Sequence, residues 1–426
     1  MNRIMRWVLA WALASGLSGS LLGGAWLVAA KTSKYIVVHS EYLLLGVEDS
    51  WKWSPEVAYD PPHDEYLVVW EAILANSHHV IYGRRVSAFG QIYAEFVVYD
   101  STYDSKQPAV AYDSTHDRYL VVWAYDSAGD GLDNDIYGRF IPWDGPSAGE
   151  LAFGIDPSRE NTDKPKLAYS PTSDEFLIVW KVEQDPAYIA GGIIFQDKTG
   201  YPVAISSGPE VRDFPDVTYN LARNEFVAVW VEDVGRESPD LDIYAIRLDH
   251  TGTPMGSGEF PVSTLLQNEE HPTVAACSAG DVYLFAWQQQ VNPENPDENI
   301  FGRLMTGAGV LQQSYGLAGT TLPQRYPSLS CNPAGNEFLL VWHDQYAQPL
   351  LMWGVWGEYI RTDLLVEPAF EVVRPSDTKD RLYPAVAYGK VNALVVWQHA
   401  RENSGFLDIW GQLTWPHETF LPGVQK

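Results

Sequence analysis

Seven times the chain closes a short apolar run on tryptophan, and this recurrence limits the possible folds more than any other feature. Trp70, Trp123, Trp180, Trp230, Trp287, Trp342 and Trp397 end the runs YLVVW, YLVVW, FLIVW, FVAVW, YLFAW, FLLVW and ALVVW, at spacings of 53, 57, 50, 57, 55 and 55 residues. A proline stands fifteen residues before each of the first six and thirteen before the last, opening segments such as PEVAYD, PAVAYD and PAVAYG. After each tryptophan a polar loop of variable length leads to a third segment: IYGRRV, IYGRFI, IYAIRL, IFGRLM, VWGEYI or IWGQLT, with IAGGIIF as the degenerate copy in the third repeat. A fixed period of this length is the signature of a repeat architecture.

The repeating segments are short, rich in Val, Ile, Tyr, Phe and Trp, and bounded by Gly, Pro, Asn and Asp, which reads as strands. The first two strands of each repeat are apolar on both faces, so each sheet needs a neighbour on either side. Gly90, Gly145, Gly252 and Gly309 each lie nine residues after the first Ile of a third strand. There they supply the positive φ of a hairpin into a fourth strand, such as Glu95–Val98 or Phe370–Val373. Four-stranded sheets repeated radially make a β-propeller. The expected fold is therefore all-β: a seven-bladed propeller of antiparallel blades over residues 55–415, with a tail at 416–426. The last repeat lacks a fourth strand of its own, whereas Tyr42-Leu43-Leu44-Leu45 precedes the first repeat. The segment 31–54 is expected to complete blade seven and close the ring.

Charge and composition remove several functions. With 28 Lys+Arg against 55 Asp+Glu, a net charge of −27 is the wrong sign for nucleic acid. A hydrophobic content of 46% excludes a disordered acidic chain. The N-terminus carries Arg3 and Arg6, then an uncharged stretch from Trp7 to Ala30 ending in Val28-Ala29-Ala30. This reads as a signal peptide over 1–30, or an uncleaved anchor as the sole membrane attachment. The expected location is extracellular or periplasmic.

Two segments, YSPTSDEFLIVW (169–180) and DIYAIRLDHTG (242–252), resemble the TolB-type repeats of exported bacterial propellers. The resemblance covers roughly 55–415. The family's S-P-D-G turn is approximated by Ser170-Pro171-Thr172-Ser173 and Asn332-Pro333-Ala334-Gly335. It implies an exported propeller that binds proteins or gates another domain, and it transfers no catalytic residues.

The repeat tryptophans are read as core, not as a sugar-stacking platform, because a fixed position between wedge-shaped sheets demands volume. One to three residues before each opening proline stands a basic or titratable residue: Lys52, Lys106, Lys164, Arg212, His271, Arg325 and Arg381. Two readings stay open. These residues form a basic ring at the channel rim that accepts a uronate, carboxylate or phosphate, or each pairs with a carboxylate such as Asp135, Asp242 or Asp408 and ties blades together. Trp51, Trp53 and Trp353 are unrepeated. They are candidates for a carbohydrate or protein contact patch, or else padding over the ring closure.

Asp130, Asp133 and Asp135, in an oxygen-rich loop, are the candidate calcium ligands, against a solvated acidic loop. Among ten His, only His78-His79 are adjacent, and no zinc signature occurs. Cys277 and Cys331 sit near equivalent positions of adjacent repeats, and a bridge between them is open either way. No nucleophile elbow, P-loop or dinucleotide fingerprint is present, so no catalytic residue is assigned and no cofactor is expected beyond possible calcium. The leading expectation is a secreted, non-enzymatic module that recognises a protein or surface polysaccharide through its top-face loops. A polysaccharide-active glycosidase or lyase with carboxylates at the channel mouth, and a structural subunit of an extracellular assembly, are the alternatives.

Overall fold

In a computed structural model of the protein, the described residues are 43–46 and 50–415, apart from 157–159, 236–239, 293–294, 320–321, 334, 348–351, 364–365, 375–378 and 401–406. The expected signal segment, Tyr42 and the tail lie outside them. The described chain forms seven four-stranded antiparallel sheets, with no helix among its elements. Blade one runs outward from the channel as Trp51–Asp60, Glu65–Ile73, His79–Ser87 and Ile92–Tyr99. The inner strands of blades two to seven are Ser105–Asp113, Thr162–Ser170, Val211–Asn220, Glu269–Cys277, Gln324–Cys331 and Arg381–Tyr388.

The ring closes as expected. Blade seven takes Leu43–Leu44 as its outer strand, in register Leu43↔Gly411 and Leu44↔Trp410. The Leu45 amide then donates to the Ile409 carbonyl at 2.8 Å. The hairpin glycines Gly90, Gly145, Gly252 and Gly309 have φ of +85°, +125°, +75° and +84°.

The core is divided among the interfaces between blades. Alternation along a strand sends successive side chains to opposite faces. Tyr66, Val68 and Trp70 of blade one therefore pack with Leu394, Val396 and Ile409 of blade seven. Leu67 and Val69, on the other face, pack with Tyr119, Val121 and Trp123 of blade two. Each repeat tryptophan thus faces the preceding blade, and all seven are at most 5% exposed. That burial makes them structural. Cys277 and Cys331 are joined in a disulfide with Cα atoms 5.4 Å apart, tying the inner strands of blades five and six.

On the lower face, the tyrosine ending each of four inner strands anchors its own turn. Tyr112 donates to Asp117 at 2.6 Å, Tyr169 to Asp174 at 2.8 Å and Tyr219 to Asn224 at 2.8 Å, and Tyr59 pairs likewise with Asp64. These turn residues are reached in turn from the blade before. His63 lies 3.4 Å from Asp117 and His116 3.4 Å from Asp174, while Arg223 bonds Asp281.

Candidate functional site at the channel mouth

Each inner strand slips register around its repeat proline. The residue just before that proline is left-handed in every blade: Ser54 (φ 49°), Gln107 (52°), Lys164 (51°), Phe214 (52°), His271 (50°), Tyr326 (54°) and Tyr383 (51°). For a residue with a Cβ this conformation costs about 1–2 kcal/mol, and a following proline restricts the residue further. Glycine would avoid the first cost, yet none of the seven is glycine. All seven line one cavity of about 700 Å³ at the axis, a size within the ~300–1,000 Å³ of small-ligand sites.

The rim is divided by chemistry. Ser54, Gln107 and Lys164, from blades one to three, are polar. Blades four to seven contribute an aromatic arc, with ring centroids 4.0 Å apart for Phe214–His271, 4.1 Å for His271–Tyr326 and 4.5 Å for Tyr326–Tyr383. Behind it, His343 stands 4.6 Å from Trp353 and 5.8 Å from Tyr383. Burial, with the Lys164 charge adding to it, pulls His271 down to about 3. Burial, reinforced by Arg325, does the same to His343. Both imidazoles are therefore neutral and belong to the aromatic surface.

The residue following each repeat tryptophan braces the next blade's bulge in several repeats. Glu71 accepts the Gln107 amide at 3.0 Å, Gln288 the Tyr326 amide at 3.1 Å and His343 the Tyr383 amide at 3.2 Å. Gln398 donates to the Lys52 carbonyl at 3.2 Å across the ring closure. Blade two has Ala124 at this position, and there Gln107 itself accepts the Lys164 amide at 2.8 Å. Gln107, Lys164, Tyr326 and Tyr383 are thereby held by side chains from the preceding blade.

One residue below the proline, blades one, three and four place charge in the channel, and that charge is already matched. Lys166 of blade three pairs with Glu56 of blade one. Asp216 accepts from Thr273 Oγ1 at 2.8 Å and from the amides of Val274 and Val217, each at 2.9 Å. Burial raises the Asp216 pKa against the opposing pull of Lys166 and these donors.

The seven predicted rim cations fall at three different register positions and form no single ring. Only Lys164 and His271 occupy the pre-proline position that lines the cavity. Lys52, Arg212 and Arg381 point away from it and are buried, at 1%, 1% and 5% exposure. Lys52 reaches Asp408 of blade seven at 3.2 Å, and Arg212 reaches Glu232 at 2.8 Å and Glu210 at 3.1 Å. Arg381 donates to the Lys379 carbonyl. Lys106 pairs with Asp104 at 3.2 Å, Arg325 with Glu298, and Lys164 with Asp213. The interblade-tie reading thus describes Lys52, Lys164 and Arg325, whose partners Asp408, Asp213 and Glu298 belong to blades seven, four and five; Asp408 is one of the three carboxylates expected. The bulge explains the scatter, because an extra residue turns neighbouring side chains to different sides.

The three unrepeated tryptophans do not share one contact patch. Trp51 and Trp53 stack on each other with centroids 6.4 Å apart in blade one. Trp353 packs in blade six, against His343 and under the Arg325 guanidinium at 5.5 Å. In the acidic loop, Asp126 organises the backbone by accepting the Gly129 and Gly131 amides at 2.7 and 2.9 Å, while Asp130 accepts from Leu132. Asp133 and Asp135 lie close together: burial, with the Asp133 and Asp156 charges behind it, raises the Asp135 pKa. On the lower face, Asp60–His63–Asp117 and Asp113–His116–Asp174 are compact enough to hold a metal ion. However, each His Nδ1 is already bonded to a carboxylate at 2.8 or 3.0 Å, and blade four places Arg223 in the equivalent bridge. That position takes a donor.

The sequence does not match a known protein family or a curated protein. Similarity is to solved structures. A protein of unknown function from Dyadobacter fermentans aligns at 11% identity over 90% of this chain and 99% of its own, with a TM-score of 0.54. A lectin, BP39L, from Burkholderia pseudomallei aligns at 12% identity over 86% and 99%, with a TM-score of 0.55. A puromycin hydrolase aligns at 11% identity over 83% of this chain and 53% of its own, with a TM-score of 0.54. At such identities the likeness is one of fold.

Sequence reasoning passed over Ser54, Gln107, Phe214, Tyr326 and Tyr383. A signal was available: within repeats that keep the proline seven times, the residue before it differs in nearly every copy and is never glycine.

Proposed function

We propose that this chain is an exported, non-enzymatic binding propeller that takes a neutral saccharide unit of a surface polysaccharide into the channel mouth. One observation carries the proposal: seven non-glycine side chains are held on strained backbone around one cavity. A pyranose has an apolar C–H face and a rim of hydroxyls. The arc Phe214–His271–Tyr326–Tyr383 suits the first, and Ser54, Gln107 and Lys164 suit the second. Lys164 and Lys166 already hold Asp213 and Glu56, so a uronate would have to displace a protein carboxylate. The carboxylates lining the channel are likewise committed, Glu56 to Lys166 and Asp216 to three donors, which favours binding over glycoside hydrolysis. A polysaccharide array probed with the wild-type chain and with Tyr326→Ala/Tyr383→Ala tests the reading. Wild-type signals that fall at least about tenfold in the variant support it. Signals equal in both, or cleavage of the bound glycan, count against it.

A further inference from the structure

The polar side of the channel rim is built to donate. Gln107 and Lys164 hold the same left-handed position in blades two and three, and both line the cavity. The Lys164 backbone amide, which can only donate, meets Gln107 Oε1 at 2.8 Å. That contact sets the direction of the side-chain amide: its oxygen is engaged, and Nε2 with its two hydrogens is left for the cavity. Lys164 likewise carries donors only. Its ammonium group bonds Asp213 and stands 4.0 Å from the Phe214 ring centroid. The carboxylates beside this pair are committed. Asp213 also accepts from Lys181 at 3.1 Å and from the Phe214 amide at 2.6 Å. Glu71 accepts the Gln107 amide at 3.0 Å and lies 2.6 Å from His79 Nδ1, while Glu56 pairs with Lys166. A hydroxyl set between Gln107 and Lys164 therefore finds donors for its oxygen. Apart from Ser54 in blade one, the polar arc offers no uncommitted side-chain acceptor for its hydrogen, and an unmet donor is costly in an enclosed site. A carbonyl oxygen accepts twice and brings no hydrogen.

We propose that the saccharide unit at the mouth is an acetamido sugar, its amide carbonyl accepting from Gln107 Nε2 and Lys164 Nζ. The proposal rests on the reading of the mouth as a saccharide site and names the class of sugar. The methyl of the acetamido group is directed to the near end of the aromatic arc, where Phe214 and the neutral His271 lie with ring centroids 4.0 Å apart. The amide carries no charge, so it leaves the Lys164–Asp213 pair intact. The second hydrogen of Gln107 Nε2 remains for a neighbouring ring hydroxyl. The same arrangement rejects the unacylated amino sugar, whose ammonium would face an ammonium and an amide donor.

The test immobilises matched sugars at equal density, in the gluco, galacto and manno configurations, each in its 2-acetamido, 2-hydroxy and 2-amino form. The full chain is expected to hold the acetamido member of at least one set at least about tenfold more strongly than its two counterparts. Gln107→Glu keeps an acceptor for the Lys164 amide and turns the donor into an acceptor, so the acetamido-to-amino ratio should fall at least about tenfold. Lys164→Met leaves Asp213 with Lys181 and should lower the acetamido-to-hydroxyl ratio. It carries the test if melting shows that Gln107→Glu has lost its fold. A hydroxyl member bound as strongly as its acetamido counterpart, with both signals lost in Tyr326→Ala/Tyr383→Ala, overturns this inference and leaves the saccharide reading standing. Acetamido signals that survive unchanged in both Gln107→Glu and Lys164→Met also overturn it. So does silence on every matched sugar while polysaccharides still bind, whereas silence on polysaccharides as well removes the saccharide reading itself.

Discussion

Replacing Glu358 by glutamine should stabilise the protein above neutral pH and do progressively less as the pH falls. The third strands of blades one, two and five carry Arg84, Arg139 and Arg303 at the position of Glu358. Each donates to an outer-strand carbonyl of the preceding blade: Arg84 to Leu45 at 2.7 Å, Arg139 to Val98 at 2.6 Å and Arg303 to Val262 at 2.6 Å. Glu358 occupies the same buried slot at 4% exposure with Oε2 unpartnered. Burial alone pushes its pKa from 4.5 to about 8. Because the folded state holds this proton more tightly than the unfolded chain, the associated stability is complete below about pH 4.5. It is lost as the pH climbs to about 8. At 1.36 kcal/mol per unit, ionisation costs about 1 kcal/mol at pH 5, about 3 kcal/mol at pH 7 and about 4 kcal/mol at pH 8. Water entering the slot lowers these figures.

Asp163 and Asp344, both raised to about 6, and Glu269, raised to about 7, titrate in the same window. The wild-type profile is therefore a composite, and the informative quantity is the variant-minus-wild-type difference. Urea unfolding of both proteins at pH 5, 6, 7 and 8 should show Glu358→Gln gaining on the wild type by about 2–3 kcal/mol between the two ends. A difference that stays flat with pH would refute burial as the cause.

Three other outcomes follow from the packing. Trp287→Ala empties a fully buried site between blades four and five and should cost about 3–5 kcal/mol in denaturant unfolding, whereas Trp51→Ala, 39% exposed, should cost under about 1 kcal/mol. Ser54→Gly relaxes a left-handed residue and should raise stability by about 1 kcal/mol, read as a higher melting temperature. Cys277→Ser/Cys331→Ser opens a loop whose ends are 54 positions apart in sequence and should lower stability by about 2–4 kcal/mol in denaturant unfolding.

The number of blades and the closure by the N-terminal strand were legible because they follow from local pattern. Val68 and Trp70 alternate with Leu67 and Val69, every one apolar, and only a sheet covered on both faces uses such a run. The mouth was legible in part. Lys164 and His271 were found through their charge, but the bulge at each proline separates positions −1, −2 and −3, so Lys52 and Arg212 turn into the structure. Tyr326 and Tyr383 carry no charge pattern and become conspicuous only when their backbone angles are known. The partnership of His78 and His79 with Asp104 spans 25 residues and two blades, a distance that no local spacing encodes.

The location of a bound saccharide tests the central claim most directly. A crystal of the chain with the glycan selected on the array should show a sugar ring against Tyr326 and Tyr383, with its hydroxyls directed to Gln107 and Ser54. A sugar seated between the outer strands of two blades, or on the lower face where His63 stacks on Trp143 with ring centroids 3.7 Å apart, would contradict the assignment of the channel mouth as the binding site.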